Sequence, residues 1–570
     1  MGISLFTTSG SVCSQRSLES CRARYERDRS CSQIKEEDMD SEKRWYLRPD
    51  VYVEPLVNHW YAWPNLIAPL TYAMYMSKTH RRLMHSFVKN TELHILANQD
   101  PELAGGGEFV DCSREQLGQV QALLQSFDNE YGLYAELAEA IRELDVLVRA
   151  HRSGESIEPL YAKVPELLKG YVELHMDLYH QPGYRLIEPL LYRSRYYDES
   201  MQSVSLGILA PGQKRPFVLS TPRLADERHL HIRLPFRSPW WDRLFSARTR
   251  PLSREEIDAL FDDAPGEGGL DHLSLFTDTA PPVHRAPNDG VRLRYMGHAG
   301  FLVESGACAL MVDPVIATCT DDNADKTYSY ADLPERIDYL CLTHNHADHV
   351  NLETLLQLRH KVDKVLVPKN NGGTLADPSL RLLLTQLGFQ ATEVDDLEEF
   401  ALPDGRIVSI PFLGEHGDLN IRSKTAWFFE LQGRKIYAGA DSSNLEPRMY
   451  QMLHDFTGDL DVLAIGMECV GAPYTWLYGA LNTELVPKNV KESRRLNGSG
   501  FQEAARMVEA FRPKQMLIYA LGMEPWYGYF MGLEYNEHSE QIVQSTRMVE
   551  HGRTLGLPVE RLCGKYALEL

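Results

Sequence analysis

Along this 570-residue chain the pattern of apolar and polar positions changes character twice. The first forty or so residues mix Ser, Arg, Glu and Cys with neither helical nor strand periodicity, and they lack the apolar core of a secretory signal. Residues 1–43 are expected to be a disordered tail, or a stretch upstream of a true start at Met39. From Arg44 onward apolar positions recur mainly at helical spacing. Ser113-Arg114-Glu115-Gln116 reads as a capping box opening one long amphipathic run from Gln116 to Arg149, with Leu117, Val120, Leu124 and Phe127 on one face. Alternating Leu230, Ile232 and Leu234 add a small sheet, so residues 44–261 are predicted to form a mainly helical α+β domain for assembly or partner docking. Trp60, Tyr61 and Trp63 read as core or interface aromatics.

Asp, Gly and Pro crowd the next stretch, as in Asp262-Asp263-Ala264-Pro265-Gly266 and Ala280-Pro281-Pro282, and mark a linker over 262–290. Strand alternation then takes over. Val291, Leu293 and Tyr295, then 301–304 and 308–312, predict a meander ending at Asp313-Pro314. Past the apolar run Ile337 to Leu342, helical segments (352–361, 380–387) alternate with strands (365–367, 408–412). A hairpin of 427–431 and 435–438 leads to Gly439-Ala440-Asp441. Residues 291–570 are therefore a layered α/β domain.

Composition narrows the function. A net charge of −21 argues against a general nucleic-acid or anionic-membrane binder. Nine cysteines stand singly, without C-x-x-C, so neither a disulfide framework nor a thiolate metal site is indicated and a cytoplasmic location is expected. Apolar stretches such as Leu66 to Met76 are too short and interrupted to span a bilayer. No flavin or nicotinamide motif is present.

The chemistry concentrates in Thr343-His344-Asn345-His346-Ala347-Asp348-His349, directly after an apolar strand. Imidazole and carboxylate suit zinc or iron. Alternating His344 and His346 can serve one metal while Asp348 and His349 serve a second, so the loop predicts a dinuclear centre. Downstream, where the metallo-β-lactamase superfamily, whose signature this loop resembles, supplies a third ligand for its first metal, the matching segment Leu413-Gly414-Glu415-His416-Gly417-Asp418 offers either Glu415 or His416. With Glu415 the set is two histidines and a carboxylate, which leaves open positions on ferrous iron; with His416 it is the three-histidine set usual for zinc-hydroxide hydrolysis.

These segments resemble the metallo-β-lactamase superfamily. Tyr295-Met296-Gly297-His298-Ala299-Gly300-Phe301 looks like its first hairpin, Asp313-Pro314 like its strand end and H-x-H-x-D-H like its signature. The resemblance implies a metallo-β-lactamase-like αβ/βα sandwich, Asp441 as the carboxylate bridging two metals and Asp313 as a group orienting a ligand histidine. His298 is read either as a satisfied structural histidine or as a ligand. The last strand, 515–520, ends in Tyr519 or Ala520 where the hydrolases carry a histidine.

Further segments in both domains, including Pro55 to Trp63, Gly466-Met467-Glu468-Cys469, Trp476-Leu477-Tyr478-Gly479, Ser493-Arg494-Arg495-Leu496 and Glu524-Pro525-Trp526, are similar to the family of the diiron β-hydroxylase of chloramphenicol biosynthesis. That resemblance implies two iron ions, with Glu415 as the replacement ligand beside His344, His346, Asp348, His349 and Asp441. It also implies an O2-dependent monooxygenase acting on an aminoacyl group held by the carrier domain of a nonribosomal peptide synthetase. An external electron donor (a reductase) and a homodimer belong to the same expectation. The alternative is a dinuclear zinc hydrolase cleaving a thioester, phosphodiester or lactone.

Overall fold

The computed structural model describes residues 43–100, 103 and 109–570. The expected tail, except for its last residue, lies outside the described residues. Two seven-stranded sheets form the second domain. The first runs Ala391–Val394, Val362–Pro368, Ile337–Cys341, Ala309–Val312, Gly300–Glu304, Arg292–Gly297, Tyr566–Glu569; the second runs Glu399–Leu402, Gly405–Ile410, Ala426–Leu431, Arg434–Ala438, Val462–Gly466, Gln515–Tyr519, Val559–Arg561. Leu293, Tyr295, Phe301 and Leu310 from one sheet meet Trp427, Phe429, Ile436 and Leu517 from the other in a shared apolar layer. Helices Pro447–Thr457, Phe501–Phe511 and Glu540–Leu555 cover the outer face of the second sheet. The middle strands of the second sheet are thus buried on both faces, which is why parallel strands such as Val462–Gly466 are apolar throughout.

The N-terminal domain pairs a five-stranded antiparallel sheet with helices. Its strands are Trp60–Tyr61, Val51–Val57, Gln202–Ile208, His229–Arg233 and Gly266–Gly268. Leu230 and Ile232 point into its core as their alternation predicts. Two expectations need correction. The run from Gln116 to Arg149 is two helices, Leu117–Glu130 and Gly132–Ala150, because Tyr131 leaves the helical conformation (ψ 21°) just before Gly132, a weak helix former. Only half of the predicted capping box exists, the Ser113 N–H donating to Gln116 Oε1 at 2.9 Å. The linker 262–290 is shorter than its composition suggests. Gly266–Gly268 pairs with the N-terminal sheet and Phe276–Thr277 pairs with Tyr46–Leu47, so the longest stretch there without helix or strand is 278–291.

The two domains share one apolar core, which runs from the N-terminal helices onto Leu352–Leu358 and Leu380–Gln386, the helices on the outer face of the first sheet. Every residue of Leu352–Leu358 is buried, Glu353 included. Arg215 reaches both Glu353 (2.9 Å) and Glu54 (2.7 Å), Arg223 holds Glu54 at 2.6 Å, and Tyr61 donates to Glu353 at 3.0 Å. Charges removed this far from water are tolerated because each is paired and hydrogen-bonded. Trp60, Tyr61 and Trp63 are buried in this core, Trp60 stacking on His80 at 3.8 Å between centroids. The N-terminal domain thereby grips the helix that begins three residues after His349.

Candidate metal centre

Each candidate donor follows the end of a strand. Ile337–Cys341 delivers the loop 343–349 to the sheet edge, where Trp427 Nε1 donates to Leu342 O (3.0 Å) and Thr425 N–H donates to Thr343 O (2.7 Å), tying the two sheets beneath the loop. Asp313, after Ala309–Val312, accepts the Thr343 backbone N–H at 2.8 Å, the Thr343 hydroxyl, and the Nδ1–H of His349 at 2.8 Å. Since the Thr343 proton goes to Asp313, His344 Nδ1, 3.0 Å from Thr343 Oγ1, is the donor of that contact. One buried carboxylate therefore fixes the tautomers of two histidines, leaving a lone pair on Nε2 of each, the role expected of Asp313.

The loop 413–418 comes from the opposite sheet. Gly414, Glu415, Gly417 and Asp418 have positive φ, and for Glu415 (74°) that is a strained conformation of the kind concentrated at functional sites. His298, Asp313, Ala440 and Ala520 around the site share it. Asp441 follows Arg434–Ala438, and Gly466 on the neighbouring strand leaves room for it: a Cβ there would press on Asp441 Oδ1.

Donor atoms gather in three groups, each mutually within 4.8 Å: His344, His346 and Glu415; His344, His349 and Asp441; His298, Asp348 and His349. All six predicted residues, His344, His346, Asp348, His349, Glu415 and Asp441, fall in these groups. His346 Nδ1 is 2.7 Å from Glu415 Oε1, and Asp441 Oδ2 stands 3.2 Å from His349 Nε2 and 4.0 Å from His344 Nε2, the place a bridging carboxylate needs. His416 is buried nearby but belongs to none of the groups; its Nε2 is 3.1 Å from Glu415 Oε2.

His344 Nε2, His349 Nε2, Glu415 Oε2 and Asp441 Oδ1 are buried with no hydrogen-bond partner. Orphaned donors and acceptors of this kind are costly unless something else satisfies them, and a cation among them does so. The electrostatics agree. Burial, reinforced by neighbouring imidazoles, holds His344 well below the ordinary histidine range, so the ring is neutral. Burial opposes charge on His349 too, but Asp441, Asp348 and Asp313 outweigh it and raise its pKa well above normal, so its Nε2 lone pair becomes available only when a cation displaces the proton there. Burial raises Glu415, while Glu415 raises His346 against burial, so this pair holds a proton that a bound cation displaces.

His298 lies at the second half of the site. Its Nε2 is 3.0 Å from Asp348 Oδ2, and its backbone N–H donates to Glu524 Oε1 at 3.1 Å. Tyr519 supplies no donor to the groups; its hydroxyl accepts the backbone N–H of Ala440 at 2.8 Å and so fixes the residue before Asp441. Ala520 N–H donates to His298 O at 3.0 Å. Sequence reasoning gave no role to Thr343, Glu524 or Tyr478, although it quoted all three. Tyr478, whose hydroxyl lies between His346 and His416, is 62 residues from the nearer of them, and no local pattern marks it.

Two sheets back to back with this donor set at one edge define a metalloprotein of the metallo-β-lactamase fold, and a β-lactamase superfamily model matches residues 310–517. A model described as the diiron non-heme beta-hydroxylase N-terminal domain matches residues 46–281. The chain is 37% identical over 538 residues, 92% of its length and 100% of the relative, to the 4-amino-L-phenylalanyl-[CmlP-peptidyl-carrier-protein] 3-hydroxylase of Streptomyces venezuelae. It superposes on the crystal structure of CmlA, a diiron beta-hydroxylase from the same organism, with TM-score 0.86 and 36% identity, over 93% of this chain and 100% of that one. A metal-dependent hydrolase of Brucella ovis is 23% identical over 26% of the chain and 70% of its own length. The chain belongs to the family of diiron non-heme β-hydroxylases.

Proposed function

We propose that this protein is a diiron monooxygenase that hydroxylates, at the β-carbon, an aminoacyl group tethered as a thioester to a carrier domain of a nonribosomal peptide synthetase. The observation that carries the reading is the first donor group: two histidines with the carboxylate of Glu415, rather than three histidines. Such a set suits ferrous iron and O2, whereas a neutral three-imidazole set suits zinc-bound hydroxide. In this reading His344, His346 and Glu415 would hold one iron, Asp348 and His349 the other, and Asp441 would serve both.

The two irons supply O2 reduction: one oxygen atom replaces a substrate C–H by C–OH and the other leaves as water, which requires two external electrons and so a reductase. The protein's own contribution is placement. Asp313 and Thr343 orient the Nε2 atoms of His349 and His344, His298 holds Asp348, and Tyr519 fixes the backbone at Asp441. Burial of His344, His346, His349 and Glu415 limits the access of water to this side of the site. Docking of the carrier on the N-terminal domain, a homodimer and a cytoplasmic location complete the proposal and rest on the family resemblance; among the described residues no helix is long and apolar enough to cross a membrane.

The test is a reaction of the iron-loaded, chemically reduced protein with O2 and aminoacyl substrates, free and carrier-bound, followed by mass spectrometry. Oxygen insertion confined to the carrier-bound form is expected. Equal turnover of the free amino acid overturns the carrier claim, and zinc loading with thioester cleavage puts the hydrolase reading in its place.

A further inference from the structure

The segment between strand Val462–Gly466 and helix Phe501–Phe511 folds over the loop 413–418. Arg494 stacks on Tyr474 at 4.4 Å and donates from Nε to Gly417 O at 2.7 Å. The N-terminal domain braces this segment from behind, Tyr75 donating its hydroxyl to Leu477 O. At its centre Tyr478 is buried, with its hydroxyl 3.2 Å from His346 Nε2 and 3.0 Å from His416 Nδ1.

A phenol has one proton to give and lone pairs to receive, so two imidazole nitrogens facing it cannot both be acceptors. What each ring does at its other nitrogen decides the roles. His346 turns Nδ1 into the first donor group, which requires the lone pair there and the proton on Nε2; that N–H donates to Tyr478 Oη. The Tyr478 proton is then free for His416 Nδ1. Neutral His416, accepting at Nδ1, carries its own proton on Nε2, 3.1 Å from Glu415 Oε2. That contact is off the line of a hydrogen bond, and neither atom has another partner, so a small turn of the carboxylate completes it. His346, Tyr478, His416 and Glu415 then form a chain of three hydrogen bonds whose two ends, His346 Nδ1 and the Glu415 carboxylate, both face the first donor group.

We propose that Tyr478 is a positioning residue that fixes the tautomer of His416, making it an N–H donor to Glu415 and withholding its lone pair from the first metal. The proposal rests on the reading that His346 and Glu415 hold that metal. It explains how a site with a third histidine in reach keeps a two-histidine, one-carboxylate set. Without the hydroxyl, His416 is free to move its proton to Nδ1 and offer Nε2 as a third imidazole, which favours zinc.

The test is competition between ferrous iron and zinc for the full-length apoprotein, read as the ratio of metals bound. Tyr478→Phe is expected to raise zinc over iron about tenfold, a typical outer-sphere effect. His416→Gln, which keeps an N–H donor but has no imidazole, should leave the ratio at the wild-type value. Placed in the Tyr478→Phe background, it should restore it. A ratio unmoved by Tyr478→Phe, or a shift that persists in the double variant, overturns the proposal. So does loss of metal in His416→Gln alone, which would make His416 a ligand and overturns the proposal even if Tyr478→Phe does not fold. Retention of full iron in Glu415→Ala overturns the ligand reading underneath, and is distinguishable because it does not involve Tyr478.

Discussion

Asp313 accepts the Nδ1–H of His349 across 2.8 Å, both side chains fully buried, and so decides which nitrogen of that ring faces the metal centre. Burial pushes the Asp313 carboxyl up, while the bonds from His349 and Thr343 draw it back toward the ionised form. Asp313→Asn, with nearly the same shape, removes the charge. Metal affinity should fall about 10–100-fold with folding intact, measured by competition with a chromophoric chelator and by circular dichroism. An unchanged affinity would show that Thr343 alone suffices to hold the two rings.

Glu415 and His416 are neighbours that both face the centre, and replacing each should have different consequences. Glu415→Ala is expected to strip or scramble the metals, because it deletes a charged donor from the first group. His416→Ala should keep them and lose about 10–100-fold in activity. Metal analysis of both variants in parallel checks the ordering; the reverse order would favour three histidines and hydrolysis.

Gly466 is constrained by what a side chain would meet. A Cβ there presses on Asp441 Oδ1 and comes within 3.0 Å of Ala440 O. Gly466→Ala should displace the Asp441 carboxylate, lowering metal content while leaving the sheet spectroscopically intact. Full metal occupancy in this variant would show that Asp441 adapts freely.

The ion network at the domain junction gives a stability prediction. Arg215 lies between Glu54 and Glu353 with side-chain exposures of 3%, 2% and 6%, so water cannot replace it. Arg215→Met leaves Glu353 without a cation and Glu54 with Arg223 alone, and should cost about 3–5 kcal/mol in urea unfolding. Replacing Glu54, Arg215, Arg223 and Glu353 together by apolar residues of similar volume should be far milder, and equal losses in the single and quadruple variants would refute the charge-pairing account.

Glu188 predicts a pH dependence. Burial pushes its carboxyl up to about 7, against the hydrogen bonds from Ser379 N–H (2.8 Å) and Asn370 Nδ2 (2.7 Å) that favour the ionised form. Its ordinary value is 4.5, so between 4.5 and about 7 the folded chain keeps a proton that the unfolded chain releases. Stability from this group therefore falls as pH rises through that window, by roughly 3 kcal/mol in all. Glu188→Gln should remove this part of the slope in denaturation curves taken across the window; a slope identical to wild type would mean that Glu188 ionises normally.

The sequence by itself determined whatever depends on neighbours along the chain. Strand alternation at Leu293 and Tyr295 and the apolar run before His344 identified the layered domain, and H-x-H-x-D-H placed four donors because one short loop carries them all. Family resemblance added Glu415 and Asp441. Tertiary structure decided the rest. Local composition made 262–290 read as linker, but its short strands exist only because the N-terminal elements offer partners for pairing. A capping pattern and an amphipathic stripe did not show the break at Tyr131. Most of all, the protonation of the site is not local. His349 takes its tautomer from Asp313, 36 residues away, and His416 meets a hydroxyl 62 residues away, on a segment braced by the other domain. A hydrogen bond is decided by distance and direction in space, and the chain's own order carries neither across such separations.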